Sequence, residues 1–346
     1  MADLLISRFE TKDNVSEEPE RVLDAFGEWK LPCVHKQLVT GSLNLKMAVL
    51  DQLQVWFIDE KDIIKAFNCG IVDTLISLIS DSSSPQMDPA LCTASLKTLK
   101  KAEKCDYARK TLIKMGLLDL LSRDHLTKSS TVDVRHATFE LILETIETSH
   151  GCMAAYTLGY LQLIYNLLDS DGTLESKTLL FKILTRLILD GSANSAEISD
   201  QFSSLEIHYL PQPAPYSDAF LTFIAAVASR SDTGKRNLLP CLTLIVPSAL
   251  NPDNIAAWKF LASMAPLAAA RIEIFRLGAV DSILTALSVT RNFQVQQFLL
   301  VTITALAEYP PARLALQPAI ADVRNLEIST LKSFAQRSLR QLLWEP

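Results

Sequence analysis

The chain has 346 residues, 49 % of them hydrophobic, with 33 Lys and Arg against 39 Asp and Glu and a formal net charge of −6. That composition supplies a large core and excludes a disordered chain. The negative balance argues against general nucleic-acid binding, which needs a basic footprint to displace counterions from phosphates. Glycine is scarce, the good helix formers Leu, Ala, Lys and Glu recur throughout, and clean polar–apolar alternation is hard to find, so an all-α chain is expected.

In chain order, "MADLLISRFETKDNVSEEPE" carries acids early and lacks a long apolar stretch, so it does not read as a secretory signal. Residues 1–15 read as a polar arm, and 16–346 as one continuous array. No apolar run reaches the length of a membrane span. The six cysteines, at 33, 69, 92, 105, 152 and 241, form no C-x-x-C pair and no zinc-like cluster with histidine, which points to free thiols in a reducing compartment. A soluble, intracellular protein with no metal or other cofactor, no nucleic-acid partner and no membrane is therefore expected.

The stretch "FNCGIVDTLISLISD" (67–81) recurs as "IKMGLLDLLSRD" (113–124), "YTLGYLQLIYNLLDSD" (156–171) and "FRLGAVDSILTAL" (275–287). Phe67, Ile113, Tyr156 and Phe275 stand three before each glycine, and Leu75, Leu121, Ile164 and Ile283 stand five after it, offsets that gather apolar groups on one helical face. Gly70 and Gly116 are 46 residues apart, Gly116 and Gly159 are 43 apart, and Gly278 lies 119 further on, room for three units of about 40. Each glycine-led helix is followed by a polar turn and a second helix, from "NLKMAVLDQLQVWF" through "DPALCTASLKTLKKA" to "STLKSFAQRSLRQLLW", with Asp88, Thr131 and Asn251 as expected N-caps. The pattern predicts an armadillo/HEAT-like right-handed superhelical solenoid of about eight helical repeats. It is irregular near 191–250, where "LPQPAPYSD" (210–218) reads as a loop, and closes on a capping helix at 329–345 with Trp344 folded back on the last layer.

Chemistry is sparse. The phosphate-loop, dinucleotide, nucleophile-elbow and zincin motifs are missing, so no catalytic residues are expected and the protein reads as a non-enzyme. In "SHGCM" (149–153) His150 and Cys152 cannot make a zinc site alone, and Gly151 reads as a turn residue beside a core cysteine. "NLLDSDGTLESK" (166–177) fails as a calcium loop because Leu167 and Thr178 fall where carboxylates are needed. "LKTLKKAEKCDYARKTLIK" (96–114) carries seven basic residues. Lys97, Lys100, Lys101 and Lys104, at i, i+3, i+4 and i+7, would share one helix face and are the candidate partner-binding residues, for an acidic protein segment. Trp56 and Trp258 read as core before they read as groove anchors. Armadillo nuclear-import adaptors repeat a Trp with an Asn one turn later, whereas here Glu60 and Ala262 follow, which disfavours import of basic signals.

Three stretches carry a family resemblance: "LKMAVLDQLQVWFIDEKDIIKAFNCGIVDTLISLISD" (45–81), "QVQQFLLVTITALAEYPPARLALQPAIADVRNLE" (294–327) and the terminus "LKSFAQRSLRQLLWEP" (331–346) with Trp344 and Pro346. Together they resemble the radial spoke head protein 14 homologues of motile cilia and flagella. The resemblance implies a non-enzymatic scaffold subunit of the axonemal radial spoke. Its partners would be other spoke proteins, its location the cytoskeleton of the cilium or flagellum, and its role motility. A soluble armadillo adaptor that binds acidic peptides in a concave groove is the alternative.

Overall fold

The computed structural model describes residues 30–80, 88–126, 131–170, 173–190, 214–249, 252–326 and 330–344. The arm expected at 1–15 and residues 191–213 of the expected irregular segment lie outside them. Among the described residues there are helices and turns and no strand, an all-α, armadillo-like helical-repeat fold. They group into two compact units, one through Leu163 and one from Ile164.

The first unit holds α1 (Lys30–Thr40), α2 (Leu43–Trp56), α3 (Glu60–Asn68), α4 (Ile71–Ser80), α5 (Pro89–Ala102), α6 (Asp106–Lys114), α7 (Leu117–Leu121, continued by a π-helical turn to Leu126), α8 (Val132–Thr145), α9 (Ser149–Thr157) and the start of α10 (Tyr160–Ser170). A repeat is a short helix, a second short helix and a longer third one, as in α3, α4 and α5. The long helices stack, α2 on α5 and α5 on α8. Their apolar faces close the core, with Leu50, Leu53, Leu96, Leu99, Phe139 and Ile142 fully buried. No unit of this kind can bury its stripe alone, so stacking is what folds it.

Polar side chains start these helices. Asp88 accepts the Ala90 N–H at 2.8 Å with Pro89 as the first residue of α5, where its missing N–H costs nothing, and Thr131 caps α8 by accepting from Val134. The expected cap at Asn251 lies outside the described residues. The helix there starts later and is capped by Asn254, whose Oδ1 accepts the Ala257 N–H at 3.0 Å.

The second unit continues with α11 (Leu174–Asp190), α12 (Ala214–Arg230), α13 (Asp232–Asn237), α14 (Leu239–Ala249), α15 (Ile255–Met264), α16 (Ala268–Arg276), α17 (Ala279–Val289), α18 (Phe293–Leu306), α19 (Pro310–Ala315), a 3-10 turn, α20 (Ile320–Leu326) and α21 (Lys332–Leu342). Here α11 packs on α12, α12 on α15, α15 on α18 and α18 on α21. Phe181 stacks edge-on against Phe220 at 5.2 Å, and Trp258 is fully buried, a core residue and not a groove anchor. The start of α12 at Ala214 corrects the loop expected over 210–218 for residues 214–218; residues 210–213 lie outside the described set. Pro215 takes the second helical position, where a missing N–H is tolerated. Trp344 does fold back. Arg313 lies over its ring at 4.8 Å and donates from Nη1 to its carbonyl, although the indole stays half exposed.

The four glycines singled out by the repeat share one conformation: φ is 76° at Gly70, 82° at Gly116, 75° at Gly159 and 77° at Gly278, the only positive values among the described residues. Each bends the chain between the two short helices of a repeat, and α3 and α4 meet at 73° on either side of Gly70. The flanking aromatics link repeats. Phe67 meets Tyr107 edge-on at 5.9 Å, and Phe275 meets Tyr309 in the same way at 5.6 Å. A Cβ at Gly116 would touch nothing within 4 Å, so the whole cost of alanine there is backbone strain. Gly116→Ala is expected to lower stability by about 1–2 kcal/mol and Gly116→Asn by less, read as shifts in the urea midpoint.

Candidate protein-binding groove

The helices α2, α5 and α8 are each 14 residues long, each led by a polar cap, Ser42, Asp88 and Thr131. Equal length puts equivalent positions side by side. The ninth residues are Asp51, Lys97 and Glu140, the fifth are Met47, Thr93 and His136, and the sixth are Ala48, Ala94 and Ala137. All of these but Ala48 line a cleft of about 840 Å³ across the three helices, with Gln54, Asp88, Pro89, Ala90 and Asp133 completing it. The alanines keep its floor low: Ala94 and Ala137 are 6 % and 4 % exposed.

The structure breaks up the expected four-lysine face. Helix α5 ends at Ala102, where the Glu103 N–H closes on Leu99 and the chain turns into α6, so Lys104 is off the helix. Lys100 reaches the next long helix and pairs with Glu140 at 3.0 Å, Lys101 is half-buried, and Lys97 alone of the four lines the cleft. Exposed by about a third, the Lys100–Glu140 pair contributes at most about 1 kcal/mol. Arg109, also counted as part of the basic stretch, is buried, with Nη1 on Asp106 at 3.2 Å and Nη2 on Glu144 at 3.3 Å. Sequence reading missed the carboxylates of the cleft, Asp51, Asp88, Asp133 and Glu140. The signal was the equal spacing of three capped 14-residue helices.

At the C-terminal ends of α5 and α8 lies a buried polar cluster. Glu103, fully buried in the turn after α5, places Oε1 and Oε2 at 2.8 and 2.9 Å from the Thr145 hydroxyl, which is itself 2.9 Å from the Leu141 carbonyl. Burial pushes the Glu103 carboxyl up to about 8, against the opposing pull of Thr145 and Arg109 and with the help of Glu144. A neutral Glu103 fits the geometry. The Thr145 hydroxyl is the donor, its hydrogen shared between the Glu103 carboxyl and the Leu141 carbonyl.

The six cysteines are unbridged. Cys152 is buried in the core, and burial pushes the Cys92 thiol up to about 12, far from a reactive thiolate. His150 is exposed and Gly151 belongs to α9, so "SHGCM" opens a helix and is not the expected turn. Among the described residues no group of three His, Cys, Asp or Glu could hold a metal ion, and no single helix is long and apolar enough to cross a membrane. In the rejected calcium-loop stretch, α10 ends at Ser170 and α11 begins at Leu174, and residues 171–172 lie outside the described set.

Solved structures share this architecture, among them the following two. An engineered protein from the Northeast Structural Genomics Consortium matches 99 % of this chain and 89 % of its own, at a TM-score of 0.75 and 16 % identity. A chain from work on a conserved phosphorylation switch controlling the interaction between cadherin and beta-catenin matches 99 % of this chain and 68 % of its own, at 0.71 and 13 % identity. At these identities the likeness is one of fold. No family model and no curated protein matches the chain.

Proposed function

We propose that this chain is a non-enzymatic scaffold that holds a segment of a partner protein in the groove of its first unit. The observation that carries this reading is the cleft itself, built by three long helices in register and floored by alanine. A helical-repeat stack presents such a surface without local reorganisation, because each repeat is fixed by its neighbours. The fold shared with a chain from the cadherin and beta-catenin work supports a protein-binding role of this general kind.

The finer reading is a structural subunit of the axonemal radial spoke, in contact with other spoke proteins and supporting ciliary or flagellar motility. It rests on the resemblance of 45–81, 294–327 and 331–346 to the radial spoke head protein 14 homologues. A tagged protein is expected to stay with demembranated axonemes through a salt wash. A protein that is diffuse in the cell body and washes out overturns the spoke reading and leaves the soluble adaptor.

A further inference from the structure

We infer that the groove of the first unit takes an extended partner segment bearing lysine or arginine side chains, in place of the acidic segment that the lysine-rich stretch suggests. This rests on the scaffold reading above and narrows it to one charge class.

The cleft fixes where a segment lies, and its charges fix what kind. Four carboxylates line it, Asp51, Asp88, Asp133 and Glu140, against one ammonium group, Lys97, and the imidazole of His136. Glu140 is already met by Lys100, and one oxygen of Asp88 is taken by the Ala90 N–H. Asp51 and Asp133 are exposed and have no hydrogen-bond or ion-pair partner among the described residues. An acidic segment laid across the helices would meet all four carboxylates with Lys97 as its main attraction. A basic one would pair with Asp51 and Asp133 and meet one repulsive group. Other cations of the basic stretch do not reverse this balance: Lys100 is paired, Lys104 is off the helix, Arg109 is buried in its own ion pairs, and Lys101, Lys110 and Lys114 do not line the cleft.

The floor adds a geometric requirement. With Ala94 and Ala137 on its floor, the main chain of the occupant can lie close to α5 and α8 while its long side chains reach the ninth-position row. Neighbouring helix axes are roughly 8–10 Å apart, so Asp51 and Glu140, two helices apart, are bridged by about five or six extended residues at roughly 3.3 Å each. No tryptophan row lines the cleft, so recognition is by charge and close backbone approach.

The test uses the full chain and two capped 16-residue alanine–serine peptides, one with three lysines five residues apart and one with three glutamates at the same places. Binding is read by fluorescence anisotropy at low and high salt. The lysine peptide is expected to bind and the glutamate peptide not, and the affinity should fall steeply with salt. Asp51→Asn with Asp133→Asn should weaken the lysine peptide at least tenfold, whereas Asp253→Asn with Asp281→Asn, an equal charge change in the second unit, should leave it unchanged. Lys97→Glu should tighten it, and thermal melts of each variant check that it folds. Tighter binding of the glutamate peptide, equal losses in the two double variants, or no binding of either peptide overturns the inference. If neither peptide binds while a partner protein still cross-links to groove residues, the charge class is wrong and the scaffold reading stands. If groove cross-links are missing as well, both fall.

Discussion

Gly151→Ala is expected to destabilise the first unit by about 3 kcal/mol, more than the same change at any left-handed glycine with open space beside it. An added Cβ would collide with the Thr145 carbonyl oxygen, and would lie 2.9 Å from its carbon and 3.1 Å from the Ile146 Cα. All three are backbone atoms of the end of α8 and the turn after it, so no rotamer change relieves the clash. The first turn of α9 would have to move off α8, breaking the Gly151 N–H bond to the Thr148 hydroxyl at 3.2 Å and the Cys152 thiol bond to the Ile146 carbonyl at 3.0 Å. The same construction recurs in the second unit. Ser231 caps α13 by accepting from Gly234 at 2.9 Å, and a Cβ on Gly234 would come within 3.0 Å of the Val227 carbonyl oxygen of α12. In α6, α16 and α19 the third helical residue is a fully buried alanine, Ala108, Ala270 and Ala312. In these five repeats a small third residue is how the first helix crosses the long helix before it; α3, with Asp62 at that position, is the exception. Urea denaturation of Gly151→Ala beside Gly116→Ala measures the difference; equal losses would show that backbone conformation, not close approach, governs both.

Glu103→Gln is expected to flatten the stability of the first unit between about pH 5 and pH 8. In the unfolded chain this carboxyl titrates near its ordinary value of 4.5, and in the folded protein burial holds it at about 8. Below 4.5 both states carry the proton and the contribution of the neutral group is fully present. Between the two values the unfolded state has released the proton and the folded state has not, so stability falls as pH rises. Above about 8 the loss is complete. A shift of this size corresponds to a loss on the order of 5 kcal/mol, at about 1.4 kcal/mol per pH unit. The glutamine amide would keep an acceptor and a donor beside Thr145 without the charge, so the variant should match or trail the native protein at about pH 5 and exceed it at about pH 8.5. Urea midpoints at those two pH values are the measurement. Parallel profiles for the two proteins would mean that Glu103 is ionised in the fold and held by Arg109.

Both positions show what a sequence reveals and what it hides. Gly70, Gly116, Gly159 and Gly278 were legible because a left-handed bend imposes a local requirement, one glycine at a fixed offset from apolar neighbours. The caps at Asp88 and Thr131 were legible for the same reason. Gly151 looked like a turn because its constraint is set by the backbone of α8, which local sequence does not display. The lysine row failed in another way. "LKKAEKC" carries no glycine or proline to mark a helix end, yet α5 stops at Ala102 because Glu103 turns inward to Thr145. Once the helix ends there, Lys104 leaves the face. The groove could have been found by aligning the three capped helices position by position, which sets Asp51, Lys97 and Glu140 in one row. Its charge balance depends on which of the neighbouring cations are already engaged, and that is a tertiary fact.

The central claim, that the first unit binds a partner segment through the α2–α5–α8 groove, is tested most directly by site-specific photocross-linking in the native assembly. A benzophenone side chain at Thr93, half-buried on the cleft wall, is compared with one at Tyr107, exposed on α6 and not among the residues lining the cleft. The account predicts a cross-link from position 93 to a defined segment of one partner protein, which an excess of the lysine peptide suppresses, and no suppression at position 107. Partner cross-links that arise only from position 107, with position 93 silent, would contradict it.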